Sequence, residues 1–199
     1  QQVTFDKVAL EKALDYYEMS LKIKREINDK EGINYCINYM GEVYRDMDMV
    51  DKAVSYHEDG LEMAKEINNR HMQIQSLYSL AEDHLKMGKP DESLMYSKKA
   101  LDLVKKIESR RFLLRVMRAL GMSYREKGNF DKAEEILNEV LEESEEVQEK
   151  KEIGRVNYEL GILWEGDDDE RAEEHFRKAQ QSFKDSDMEL WVERCEEKL

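Results

Sequence analysis

Apolar residues recur along the chain at steps of three and four, as in Leu113, Met117, Leu120 and Tyr124, a spacing that keeps one face of a helix apolar. The pattern breaks at 46–49, 87–90, 127–129 and 165–168, and a second helical stretch follows each break. Gly88, Gly128 and Gly166 lie in three of these breaks, where glycine takes the positive φ that ends a helix at no steric cost. Pro90 suits the first turn of the helix that follows, and Asp51, Asp91, Asp131 and Asp169 put negative charge near the positive end of its dipole. The predicted elements are helical hairpins, each a helix A followed by a helix B.

The hairpins repeat every forty residues. Gly41, Ala81, Gly121 and Gly161 stand in register, each preceded by Met40, Leu80, Leu120 or Leu160 and followed three residues on by Tyr44, His84, Tyr124 or Trp164. In helix B, Ala13, Ala53, Ser93 and Ala133 keep the same register, with Ala172 one residue early, and Leu21, Leu61, Leu101 and Leu141 align beyond them. Glycine inside a helix costs about 1 kcal/mol relative to alanine. Gly41, Gly121 and Gly161 are therefore expected where helix B packs closely on helix A.

Composition narrows the class. Charged residues make up 39% of the 199 positions, against roughly 25% in an ordinary domain. Nine glycines and one proline leave too little turn chemistry for a β-sandwich or barrel. The longest stretches without a charged residue, 32–41 and 71–81, fall far short of the roughly 18 apolar residues that span a bilayer, so no membrane segment is expected. No basic stretch precedes an apolar one at the start, and a chain that opens at Gln1 is expected to be trimmed from a longer protein. The net charge of −14 repels phosphate backbones and argues against direct nucleic-acid binding. Cys36 and Cys195 are too far apart and too few for a zinc knuckle or disulfide framework; they read as buried apolar residues in a reducing, cytoplasmic setting.

Set out this way, the units resemble tetratricopeptide repeats, whose helix A carries a bulky residue, then Leu-Gly, then an aromatic, and whose helix B carries Ala followed by a large residue. Helix A reads Ile37, Met40, Gly41, Tyr44; then Leu77, Leu80, Ala81, His84; then Met117, Leu120, Gly121, Tyr124; and finally Asn157, Leu160, Gly161, Trp164. Helix B pairs Ala13 with Tyr17, Ala53 with His57, Ser93 with Ser97, Ala133 with Leu137 and Ala172 with Phe176. The period is forty rather than the family's thirty-four, and the usual proline near the end of helix B is absent; the six extra residues add about 9 Å of helix. Lengthened repeats of this kind are similar to those of kinesin light chains, spindle-orientation adaptors, bacterial peptide-pheromone receptors and sensory regulators. The resemblance implies an all-α, right-handed superhelical solenoid that holds other polypeptides, without catalysis and without a cofactor.

The expected organisation is one solenoid over 1–199, with a partial repeat at 1–30, repeats at 31–70, 71–110, 111–150 and 151–186, and a capping helix at 187–199. That last segment, with Leu190, Trp191, Arg194, Cys195 and Lys198, serves equally as the opening helix of a further repeat. Counting back forty from Gly41 reaches Gln1, so only the tail of a helix A, 3–7, precedes the first helix B. Apolar surface at Phe5, Val8 and Leu10 is then a candidate for self-association.

In this family the A helices line the concave side, so function is expected there. The face away from the core stripe is read at Tyr35, Asn38, Glu42 and Arg45, at Gln75, Tyr78 and Glu82, at Arg115, Arg118, Met122 and Arg125, and at Arg155, Tyr158 and Ile162. With Arg111, the third repeat carries four arginines on one face, interrupted only by Met122, in a chain that is otherwise acidic. Guanidinium groups bind carboxylates and phosphates bidentately. Arg111, Arg115, Arg118, Arg125 and Arg155 are thus predicted to hold an acidic, phosphorylated or C-terminal carboxylate peptide, with Tyr35, Asn38, Tyr78 and Tyr158 on its backbone and apolar side chains. The competing reading is that the arginines are solvated or pair with Glu82, Glu126 and Glu159. The run 165–170 lacks the ligand spacing of a calcium loop, and His57, His71, His84 and His175 lack metal-ligand spacing, His57 and His84 reading as packing residues. No phosphate loop, nucleophile elbow or zinc-protease motif is present. The expected partner is a protein or peptide; the alternative is a peptide- or ligand-sensing domain of a larger regulator.

Overall fold

The computed structural model describes the backbone of residues 2–199 and the side chains of residues 8–199. The chain forms α1 (Gln2–Glu26), α2 (Lys30–Asp46), α3 (Val50–Glu66), α4 (Arg70–Lys86), α5 (Pro90–Ile107), α6 (Arg110–Glu126), α7 (Phe130–Glu146), α8 (Lys150–Trp164), α9 (Asp169–Lys184) and α10 (Glu189–Glu196), with no strand among the described residues. The predicted breaks separate α2 from α3, α4 from α5, α6 from α7 and α8 from α9, the first of each pair being helix A. The start of the chain differs from expectation: α1 runs without a turn, so 3–7 is continuous with the helix B it was expected to precede. Phe5 lies outside the described side chains, Val8 is exposed and Leu10 is half-buried.

Turns recur with the helices. Gly88, Gly128 and Gly166 take positive φ as predicted, and so do Asn28, Asp48, Asn68, Glu108, Gln148 and Asp187. After most of these, the next N–H reaches back five residues, from Met49 to the Tyr44 carbonyl (2.8 Å), from Lys89 to His84 (2.8 Å) and from Asn129 to Tyr124 (2.9 Å). This bond satisfies one of the orphan carbonyls at the helix end. The following helix is capped at its start: Asp29, Asn69, Asn129 and Asp168 accept from the N–H three residues on, at 2.8 to 3.3 Å.

Two compact units divide the chain, 1–112 and 113–199. In the first, α2 packs on α1 and α3, α4 packs on α3 and α5, and the A helices α2 and α4 touch. In the second, α8 packs on α7 and α9, and α10 on α9. The core of the first unit includes Met40, Ile74, Leu80 and Val104, and that of the second Val116, Leu137, Leu160, Phe176 and Phe183, all 2% exposed or less. The helical glycines sit where the hairpins close. A Cβ on Gly41 would stand 2.5 Å from His57 Nε2, one on Gly121 2.9 Å from Leu137, and one on Gly161 2.6 Å from the Phe176 ring. The close approach that justifies a helical glycine is therefore present at all three predicted positions.

Candidate functional site

A helix A inside a stack is covered by its own helix B, by the preceding helix B and by the neighbouring helix A. Only a narrow strip stays open. On α2 that strip includes Tyr35 and Tyr39, 45% and 38% exposed, with Glu42 half-buried beside them. The two rings lie nearly parallel with centroids 6.5 Å apart, and Tyr39 stacks on Tyr17 of α1 at 5.6 Å.

Asn38, predicted on the open face, is fully buried. Its Nδ2 donates to the Asn34 carbonyl and to Asn34 Oδ1 at 2.9 Å, and its Oδ1 accepts from Ser76 Oγ of α4 at 2.8 Å. Gln75 and Tyr78 are buried as well. His57, also fully buried, faces two acceptors: Nδ1 lies 2.5 Å from Asp83 Oδ2 and Nε2 3.1 Å from the Asn38 carbonyl. Asp83 Oδ1 accepts from Arg45 Nη1 at 3.1 Å, and Arg45 Nη2 lies 3.0 Å from Glu82 Oε2. Burial opposes the charge on Arg45, but the Glu82 and Asp83 carboxylates outweigh it and hold the guanidinium pKa above its ordinary value.

The second unit repeats this use of arginine. Arg118 is 4% exposed, with Nε donating to Glu152 Oε1 at 2.8 Å and Nη1 lying 3.3 Å from Met122 Sδ. Arg125 Nη1 donates to Glu159 Oε2 at 2.5 Å and Nη2 to Glu126 Oε1 at 3.0 Å. Burial again opposes the charge, and Glu159 and Glu126 raise the Arg125 pKa despite it. The open arginine stripe expected from the sequence is thereby corrected. Arg45, Arg118 and Arg125 lie on the face that the next helix A covers, and carboxylates from that helix take them up. Of the other predicted residues, Arg111 is exposed, while Arg115, Met122, Arg155 and Tyr158 are half-buried. Tyr158 packs edge-on against Trp191 at 5.4 Å and Phe176 at 5.5 Å, and Arg155 lies 5.9 Å from the Trp191 ring. Burial pushes the Tyr158 hydroxyl pKa up.

Tyr39, Asp83 and Glu152 were not singled out from the sequence, whereas Glu159, like Glu82 and Glu126, was named there as an arginine partner in the competing reading. Asp83 carried a signal, since it occupies the repeat position of Val43, Ser123 and Leu163, where a carboxylate needs a partner. His84 packs at a tilt on Tyr96, with ring centroids 5.0 Å apart, and Cys36 and Cys195 are buried, the Cys195 thiol pushed up to about 11 by burial. Among the described residues no His, Cys, Asp and Glu cluster is arranged to hold a metal ion, and no helix is long and apolar enough to cross a membrane.

The tetratricopeptide repeat family model matches residues 34–106, 72–146 and 112–185. No curated protein matches the chain. Among solved structures, it is similar to the apo form of RapI (TM-score 0.74, 14% identity, 99% of this chain and 80% of that one). It is also similar to BtubC from P. vanneervenii (TM-score 0.66, 17% identity, 96% and 91%). A third is the Rap conjugation gene regulator of the plasmid pLS20 in complex with the Phr* peptide (TM-score 0.66, 19% identity), where 80% of this chain spans about half, 48%, of that one. At these identities the likeness concerns the fold, an all-α array of repeated hairpins, and it agrees with the register of Gly41, Gly121 and Gly161 and the helix B side chains packed on them. On the matched span, which takes in most of the residues, the chain belongs to the tetratricopeptide repeat family.

Proposed function

We propose that the chain is a protein-interaction scaffold whose A-helix strip holds a peptide or helix of a partner protein. The observation that carries this reading is the stacked, exposed pair Tyr35 and Tyr39 on α2. Aromatic rings held this way offer large contact area at little entropic cost, which is how binding surfaces use tyrosine. Arg111, Arg115 and Arg155 add cationic character to the A helices, favouring a partner segment that bears carboxylates. Arg45, Arg118 and Arg125 serve instead to tie consecutive A helices together. The test is capture of a partner by the full chain at low salt, followed by affinity measurement with Tyr35→Ala/Tyr39→Ala and Arg115→Glu/Arg155→Glu variants. Each pair of changes is expected to weaken binding at least tenfold, and raised salt should release the partner. Unchanged affinity in the tyrosine variant removes the scaffold surface; unchanged affinity in the arginine variant removes only the acidic partner.

A second reading, a peptide-sensing domain of a larger regulator, is favoured by the likeness to a gene regulator whose structure holds a peptide. An effector domain encoded beside this chain in the full gene product would support it.

A further inference from the structure

The turns between helices A and B offer the clearest contrast between the two units. In the first, Lys86 in the last turn of α4 fills the niche beside the preceding turn: its Nζ lies 2.8 Å from Asp48 Oδ1 and 2.7 Å from the Arg45 carbonyl. In the second, helix A ends two residues sooner in the repeat register, at Trp164, and the residue eighty positions on from Lys86 is Gly166. A cavity of about 850 Å³ opens instead, walled by Phe130 and Trp164, with Arg125 and the carboxylates of Asp131 and Asp167 among its lining.

The remaining carboxylates of that lining are already engaged. Glu126 is held by Arg125, Glu134 by Arg171 at 2.6 Å, and Glu165 by Lys198, whose Nζ lies 2.7 and 2.8 Å from its two oxygens. Asp131 and Asp167 have no ion-pair partner among the described residues. Phe130 is 57% exposed, a large apolar ring at the mouth of an acidic cavity. Arg171 lies 3.9 Å from the Trp164 ring centroid, so the aromatic wall already carries one cation.

We infer that this cavity receives a lysine side chain of a partner protein, its ammonium drawn to Asp131 and Asp167 and a neighbouring apolar side chain seated on Phe130. Charge complementarity selects the occupant, because the carboxylates of Glu126, Asp131, Glu134, Glu165 and Asp167 line the cavity against Arg125, the one lining cation among the described residues. The site is separate from the A-helix strip and prefers the opposite charge, so it does not depend on that reading.

The test is a ¹H–¹⁵N NMR titration of the full chain with the end-blocked peptide acetyl-Gly-Lys-Phe-Lys-Gly-amide. Shifts are expected at the Gly128, Phe130 and Gly166 amides and at the Trp164 indole N–H. The same peptide with both lysines replaced by glutamine should bind at least tenfold more weakly, as should the lysine peptide to the isosteric Asp131→Asn/Asp167→Asn variant. The glutamine peptide leaves the protein untouched, so that comparison holds even if the variant misfolds. Absence of shifts at roughly millimolar peptide, shifts confined to other residues, or equal affinity for the two peptides would overturn the inference.

Discussion

The hairpin contact at one repeat position is built from opposite chemistry in the two units. In the first, the ring resting on Gly41 is His57, bonded to Asp83 and facing the Asn38 carbonyl, so that side chains from α2, α3 and α4 meet in one buried polar network. In the second, the ring resting on Gly161 is Phe176, which meets Tyr158 edge-on and forms no polar contact. The repeat therefore prescribes the space between the helices and leaves its polarity open. A small residue under a bulky side chain recurs, with a ring over Gly41 and Gly161 and Leu137 over Gly121, and whether hydrogen bonds or dispersion fill the gap varies along the chain.

Removing one partner on each side should break the contrast most strongly. Asp83→Ala leaves His57 and Arg45 without their shared carboxylate, with an expected loss of about 3–5 kcal/mol; Phe176→Ala opens a cavity with a loss of about 3–5 kcal/mol. Urea denaturation measures both. The polar network is not structural if Asp83→Ala costs less than about 1 kcal/mol. Gly161→Ala sharpens the steric half of the argument: its Cβ meets the Phe176 ring at 2.6 Å, and an overpacking loss of about 1–3 kcal/mol should appear in the same assay.

Smaller effects lie at the turns and in the titration of α9. Glu108 holds φ of 52°, and Glu108→Gly should stabilise the fold by about 1 kcal/mol by relieving left-handed strain, read as a raised denaturation midpoint. His175, half-buried with Nδ1 2.9 Å from Asn157 Oδ1, has its pKa lowered below 6.5 by burial and by the cations of Lys178 and Arg171. The unfolded chain then binds the proton more readily. The contribution is fully present above pH 6.5 and is lost as pH falls through the lowered value. Urea midpoints measured across that window should decline with acid, and His175→Gln should flatten the decline.

Much of the fold was legible because hairpin packing obeys a local rule. Gly41, Gly121 and Gly161, the rings forty residues apart and Gly88, Gly128 and Gly166 each state a steric need that side-chain size alone reveals. Glu108 and Gln148 were not legible as left-handed residues, since neither has the shape that advertises it; the surrounding helices impose the conformation. The binding face was harder still. Helical spacing separates core from non-core on one helix, but it does not tell which non-core positions the next helix A covers. Asn38, Arg118 and Arg125 were placed in the open for that reason. Their partners Ser76, Glu152 and Glu159 lie 34 to 38 residues further on, one repeat away; of these only Glu159 was named from the sequence, in the competing reading that pairs arginines with carboxylates, and the other pairings show when neighbouring repeats are laid side by side.

The bonds around His57 point in set directions, and a slide of α3 against α2 would stretch several of them together. Such a joint resists shear and then gives way at once. A ring lying on glycine has no such stops: it can tilt or glide a little while keeping most of its contact. Under a load the first unit should thus act as the brittle part of the molecule, and the contact between α8 and α9 as the compliant one.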